Sequence, residues 1–347
     1  MSKYASYPGP SFDNPFQIPW ALAMEDHGWH VLTPVWWPGS LFRNCGRIPI
    51  ILFHWPESYW RSEQLWRSYF NAAKFLIMVR LAKLLGYKLV WSAHNVMPHE
   101  YLSESLERKM RLWILSHFDL ILGHAHNTLE DLQAEFGEFH LPYAEAVLGH
   151  YEGLYNPSAD RETLLKKWDL SPSKHKVLLM LSGKKYKDQA NFLEAWSSGR
   201  WDHLQLILAG RVPPSLRQAI ENLPGDVRHL GNNGTPHNML SDLMLCTDML
   251  ALSYRRITTS SAYFLAVTFF KPVLAPDLPF FLRHSREGSA LLYRADQGSA
   301  GIAAALRKLD SSEWQVDHQA LQELRSQYTW AKSSACVADA FDRLLGK

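Results

Sequence analysis

Residues 91 to 100 read WSAHNVMPHE. An apolar run ends at Ala93, and His94, Asn95, His99 and Glu100 follow around Pro98. Imidazole titrates near neutrality, so a histidine just past a strand can take a proton as a general base. Imidazole and carboxylate also bind zinc, but the spacing is not HExxH and Pro98 prevents a regular helix through it. Base chemistry and a polar turn are the readings that stand, with His94, His99 and Glu100 as candidates. Glu100 has a plainer role open to it, as an acid favouring a helix N-terminus. Asp13, in PGPSFDNPF, is a further candidate, or else an Asx-turn before a helix. His54 and Glu57 of FHWPE could line a ligand cleft or form a structural turn. His150, in AVLGHYEGLY, could reach a ligand from a domain junction or pack with Tyr151 as a hinge.

A second set is cationic. In LLMLSGKKYKD a buried strand runs into Gly183, then Lys184, Lys185 and Lys187. A glycine there allows a tight turn or a close ligand approach, and the lysines could face a diphosphate or simply solvent. In SYRRITTSSAYFLAV a strand ends at Tyr254, Arg255 and Arg256 follow, and Thr258, Thr259, Ser260 and Ser261 open a helix. Hydroxyls are good N-caps, and a helix N-terminus cradles phosphate. No GxGxxG and no GxxxxGK[ST] occurs, which disfavours a dinucleotide dehydrogenase or a P-loop NTPase.

Alternating βα units position these residues. Strand patterns fall at Tyr4–Tyr7, His30–Val35, Ile50–Phe53, Lys88–Ser92, Leu120–Gly123 and 146–148, with helices at Phe16–His27, Glu63–Leu85, Glu100–Ser116 and Thr128–Phe136. A polar connector with one helix, residues 149–175, interrupts the pattern. It then restarts with strands at Lys176–Leu181, Leu204–Ala209, Val227–Leu230, Met249–Leu252 and Pro272–Ala275. Helices lie between them at 187–196, 213–222, 236–246 and 260–270, and two more close the chain at 301–309 and 318–345. The expected fold is α/β: two Rossmann-like doubly wound domains facing each other across a cleft, with ligands beyond the strands' carboxyl ends. The domains are expected at 1–165 and 166–325, with a returning helix at 326–347.

The chain's 347 residues, 47% hydrophobic, suit two cores. A net charge of +2 and the lack of any RNP or finger signature argue against nucleic acid. Cys45, Cys246 and Cys336 form no CxxC and read as buried reduced thiols of a cytoplasmic protein. No secretory leader is apparent, and no apolar run reaches the roughly 18 residues a membrane span needs. Many of the 14 tryptophans crowd the first third, as core or as sugar- or lipid-contacting rings. The helix SEQLWRSYFNAAKFLIMVRLAKLL mixes aromatic and basic residues, which suits either an anionic membrane surface or a core helix with snorkelling basic residues.

The ordered pieces GKKYKD, NFLEAW, LQLILAG, the segment from DMLALSYRRITTSS to KPVLAPDLP, and YTWAKSSACVADAFDRLL resemble GT-B glycosyltransferases over nearly the whole chain. In the first half, NPFQIPWALAMEDHGWHV, FHWPE and WSAHNVMPHE resemble the bacterial exopolysaccharide enzymes of the xanthan-pathway GDP-mannose:glycolipid 4-beta-D-mannosyltransferase type. The resemblance implies transfer of a sugar, mannose from GDP-mannose, to a polyprenyl-diphosphate-linked saccharide at the inner face of the cell membrane. It implies a nucleotide-sugar donor as substrate, no cofactor and no essential metal, with protein cations facing the diphosphate. Lys184, Lys187, Arg255, Thr259 and Ser260 are its candidates, with Gly183, Tyr254, Ser261 and His150 beside them. The acceptor's base would be His94, Glu100 or Asp13. Many retaining relatives carry Glu-x7-Glu before the KPV strand; here the region reads RRITTSSAYFLAVTFFKPV, which fits an inverting enzyme better. A retaining transferase using a UDP-sugar, and a catalytically silent sugar-nucleotide-binding scaffold, are the alternatives.

Overall fold

The structure, a computed structural model, describes every residue except Met1, 12–15, His99, 232–234, Pro236 and the side chain of His237. The chain divides into two compact units, Met1–Gly149 with Tyr328–Lys347, and His150–Gln327.

The first unit runs β1 (Ser2–Tyr7), α1 (Gln17–Asp26), β2 (Trp29–Leu32), α2 (Pro38–Asn44), β3 (Ile50–Phe53), α3 (Leu65–Leu84), β4 (Lys88–Ala93), α4 (Glu104–His117), β5 (Leu120–Gly123), α5 (Thr128–Phe136) and β6 (Tyr143–Glu145). Its sheet is parallel, in the order β2-β1-β3-β4-β5-β6. Helices cover both faces of such a sheet, so its central strands are apolar runs: β3 is Ile-Ile-Leu-Phe, wholly buried. From α3, Ala72, Phe75, Val79 and Ala82 recur at helical spacing and pack with Phe53 and Trp91.

The second unit repeats the plan: α6 (Arg161–Lys167), β7 (His175–Met180), α7 (Gln189–Ser197), β8 (Leu204–Ala209), α8 (Arg217–Glu221), β9 (Val227–Leu230), α9 (His237–Cys246), β10 (Met249–Ala251), α10 (Ser261–Thr268), β11 (Val273–Pro276), α11 (Pro279–His284), β12 (Ala290–Tyr293), α12 (Gly298–Asp310) and α13 (His318–Gln327). This sheet is also parallel, in the order β12-β11-β10-β7-β8-β9. The chain then returns to the first unit as α14 (Trp330–Leu344), whose Phe341 ring meets Tyr4 and Trp29 at 5.5 and 5.2 Å. Gly149 lets this helix start close by: a Cβ there would lie 2.6 Å from the Trp330 nitrogen.

Several expectations change. The sixth strand is Tyr143–Glu145, not 146–148, because its partner Gly123 pairs with Glu145. The pattern reading missed α2, α11 and β12. The expected closing helix at 318–345 is two helices, since the Thr329 hydroxyl caps α14 by accepting from the Lys332 N–H at 3.3 Å. Likewise α4 begins at Glu104, not Glu100, because Ser103 caps it. Of the cysteines only Cys246 is buried; Cys45 and Cys336 are exposed, and all three are free.

Candidate functional site

Each sheet reverses its winding direction beside its first strand, between β1 and β3 in the first unit and between β7 and β10 in the second. Parallel sheets bind ligands at the carboxyl ends of the strands at such a switch. The two edges carry different chemistry.

In the first unit, β3, β4 and β5 are neighbours, and each is followed at once by a histidine: His54, His94 and His124. The parallel register sets His94 beside His124, since Ala93 pairs with Gly123, and sets Ser92 beside His54, since Phe53 pairs with Trp91 and β4 runs two residues further. His54 Nδ1 lies 3.1 Å from His94 Nε2 and 2.9 Å from Ser92 Oγ. Ser92 Oγ lies 3.1 Å from His94 Nε2 and 2.5 Å from His124 Nε2. From β1, Ser6 Oγ lies 3.1 Å from His54 Nε2. The His94 ring is held between flat partners, with Trp55 at 4.7 Å and His124 at 4.2 Å. Phe16 meets it edge-on, and Trp20 meets His54 and His124 edge-on. Burial lowers the pKa of all three: His54 to about 3, His124 to about 4, and His94 well below the ordinary range, with the neighbouring imidazoles adding to the effect for His54 and His94. The cluster is therefore neutral at pH 7. His94 keeps 6% of its surface exposed, against 3% for His54 and none for His124.

A buried ion pair fixes the loop after His94. The Arg111 guanidinium on α4 donates to Glu57 at 2.8 Å and to the Val96 carbonyl at 3.3 Å. It also lies 5.0 Å over the Trp91 ring. Glu57, a possible ligand residue in the sequence, is thus committed to Arg111. Glu100 is exposed on the loop before α4, outside the histidine cluster. Asp13 and His99 lie outside the described residues. Among the described residues, no group of three His, Cys, Asp or Glu side chains is placed to hold a metal ion.

In the second unit a small pocket opens at the ends of β7 and β10. Lys187, Gln189, Ser253 and Tyr254 line it, over Leu179, Met180, Ala251 and Leu252. Gln189 fixes the β7 loop, accepting from the Ser182 N–H at 2.9 Å and donating to the Met180 carbonyl at 2.6 Å. Tyr254 stacks between Tyr186 and Phe281, and its hydroxyl is 3.3 Å from Ser260 Oγ. Ser260 caps α10 by accepting from the Tyr263 N–H at 3.2 Å. Ser253 Oγ is buried and has no hydrogen-bond partner among the described residues. Leaving a buried hydroxyl unpaired costs about 1–3 kcal/mol, a cost that a polar ligand or water at this spot removes.

The structure brings Lys187, Tyr254 and Ser260 to one place. It puts Lys184, Gly183 and Ser261 on exposed surface beside them, with Thr259 half-buried. A Cβ on Gly183 would meet nothing within 4 Å, so its value is open space rather than a tight turn. The Arg255 side chain pairs with Asp188 at 2.8 Å, which draws its charge toward the loop. His150 is not part of this group. The next residue, Tyr151, donates its N–H to Thr268 Oγ1 at 2.8 Å, at the far end of α10, and eight helical residues span about 12 Å. His150 instead receives the Glu152 N–H at Nδ1 and has its pKa lowered by burial, then by Arg325.

Sequence reasoning passed over His124, Ser92, Ser6, Gln189 and Ser253. A signal for the first existed: His124 comes directly after the apolar run LILG, as His54 comes directly after IILF.

No protein-family model matches the chain, and no curated protein sequence matches it. Solved structures do. Anabaena HepE, in complex with UDP and glucose, matches at a TM-score of 0.72 and 13% identity, covering 99% of this chain and 100% of its own. Sucrose-phosphate synthase from Thermosynechococcus elongatus matches at a TM-score of 0.72 and 14% identity, covering 100% of both. A glycosyltransferase from Rickettsia africae matches at 0.66 and 11% identity, over 99% of this chain and 98% of its own. Likeness over both units at such low identity defines the fold: two six-stranded parallel α/β units in one chain, the GT-B fold.

Proposed function

We propose that the protein is a nucleotide-sugar-dependent glycosyltransferase whose second unit holds the donor's diphosphate. The observation that carries this reading is the pocket at the β7–β10 switch, lined by the Lys187 cation and the unpartnered buried Ser253 hydroxyl, with Tyr254 of its wall reaching the Ser260 cap of α10 at 3.3 Å. Lys187, with Lys184 beside it, offsets the charge that grows on the leaving diphosphate; Ser253 Oγ and the first N–H groups of α10 donate to its oxygens. In transfer, an acceptor hydroxyl oxygen attacks the anomeric carbon, the bond to the diphosphate breaks, and the hydroxyl proton goes to a base. His94 is that base in this reading, being the most exposed imidazole of its cluster.

The preferred reaction is inverting transfer of mannose from GDP-mannose to a polyprenyl-diphosphate-linked saccharide, which rests on the residue-level resemblance and on the absence of glutamate from RRITTSSAYFLAVTFFKPV. A UDP-sugar donor is the second reading, favoured by HepE, solved in complex with UDP-glucose, and by the UDP-forming trehalose-phosphate synthase from Burkholderia xenovorans, a match at TM-score 0.60. No essential metal is part of either reading, so turnover is expected to survive chelation.

A lipid-linked acceptor asks for a membrane surface, and α3 supplies a face for one. Trp66, Phe70, Ile77 and Leu84 are exposed along it, and Arg67 and Lys74 lie over the Trp66 and Phe70 rings at 5.2 Å each. The helix Leu65–Leu84 carries no carboxylate. Basic and aromatic residues together favour anionic headgroups. No described helix is long and apolar enough to cross a membrane.

Thermal shift against GDP- and UDP-sugars tests the donor, because a ligand of the folded state raises its melting temperature. A shift with UDP-sugars alone overturns the GDP-mannose reading. Saturable binding with no diphosphate release onto any lipid-linked acceptor favours the silent scaffold instead.

A further inference from the structure

The proton arrangement of the histidine cluster follows from its two ends. Carbonyl oxygens only accept hydrogen bonds. At one end His124 Nδ1 faces the Ala146 carbonyl at 2.9 Å, so that nitrogen carries the proton. A neutral His124 then has a bare Nε2, and the Ser92 hydroxyl must donate to it. At the other end Ser6 Oγ lies 3.0 Å from the Pro8 carbonyl, so the single Ser6 proton points there. Ser6 must therefore accept from His54, which puts the His54 proton on Nε2 and leaves Nδ1 bare. The opposite polarity leaves the Ser6–Pro8 oxygen pair with no proton between them.

What remains is a triangle of His54 Nδ1, Ser92 Oγ and His94 Nε2, with edges of 2.9 to 3.1 Å. Without a proton, three sets of lone pairs would collide. Ser92 and His54 have none left to give, so His94 Nε2–H fills it, shared between both acceptors. Neutral His94 then has a bare Nδ1, and no hydrogen bond reaches that atom among the described residues. Stacking against Trp55 and His124 keeps the ring from turning.

We propose that Ser6, His54, Ser92 and His124 form a tautomer lock: they fix His94 as the Nε2–H form, so that its Nδ1 accepts a hydrogen bond from a neutral hydroxyl and rejects an anion. This rests on the reading of His94 as the group that meets the acceptor, and makes the four other residues positioning residues for it. A sugar hydroxyl fits this nitrogen; a phosphate oxygen, itself an acceptor, does not.

Long-range 1H–15N NMR of the full chain with 15N-labelled histidine, free of substrate, reads the tautomers directly. His94→Gln identifies the His94 signals by their loss. The expected result near neutral pH is His94 protonated at Nε2 alone and His124 at Nδ1 alone. His94 protonated at Nδ1, or as an imidazolium, overturns the lock. Ser6→Ala removes the acceptor of the His54 proton, so a second His94 population with the proton on Nδ1 is expected; an unchanged His94 in the folded variant also overturns it. Turnover enters neither readout. The expected tautomer without transferase activity on any sugar nucleotide sinks the enzymatic reading and keeps the lock, and the wrong tautomer in an active enzyme does the reverse.

Discussion

The two sheets share topology and differ at the same edge. Past β3, β4 and β5 the first unit places neutral imidazoles packed among tryptophans, hydrogen-bonded to one another and to Ser92. Past β7 and β10 the second unit places lysines and hydroxyls at the surface, with one buried hydroxyl unanswered. A dry neutral edge suits a hydrogen bond with an uncharged group, because an ion there would lose its hydration. An exposed cationic edge suits a diphosphate, because water and protein share its charge. The same scaffold thus separates two chemical environments by burial rather than by fold.

The sharpest way to break this contrast is at the first edge. His94→Ala is expected to lower turnover by about 100-fold or more while leaving nucleotide-sugar affinity near that of the native chain. Loss of binding instead would move His94's role to the donor, and near-normal turnover would exclude it as base. At the second edge Lys187→Ala should do the opposite, weakening donor binding by about 10-fold, the scale of one charge-assisted hydrogen bond, with a smaller loss at saturating donor.

Acid should separate the edges without any ligand. His54 and His124 have folded pKa values of about 3 and 4, below the unfolded value of about 6.5. Between those limits the unfolded chain binds more protons, so stability rises with pH and is lost as pH falls from about 6.5 toward 4. Each histidine that stays neutral in the fold contributes about 1.4 kcal/mol of that loss per pH unit. Denaturant melts of the native chain and of His54→Phe check this; an equal slope in the two would mean that His54 charges in the folded state. The smallest effect is expected from Ser260→Ala, about 1 kcal/mol of stability from the lost cap of α10, measured by the same melts.

Much of the scaffold was legible in the chain. Runs such as IILF and LQLILAG, alternating with amphipathic helices, specify parallel α/β units because both faces of each sheet must be covered. The shorter elements were not: β12 alternates weakly and α11 is six residues long, too few to show a period. His94 was legible as a polar residue at a strand end. The role of Glu57 was not, because Arg111, its partner, lies 54 residues away on another helix.

The sequence by itself determined two repeating βα units, the strand ends at which polar residues must emerge, and the charge types available there. Those follow from local period and residue chemistry. Tertiary structure decided which of those residues meet. Strand order set His54, His94 and His124 side by side and left His150 at the other end of α10 from Ser260, since neighbours in a parallel sheet are fixed by winding, not by distance along the chain.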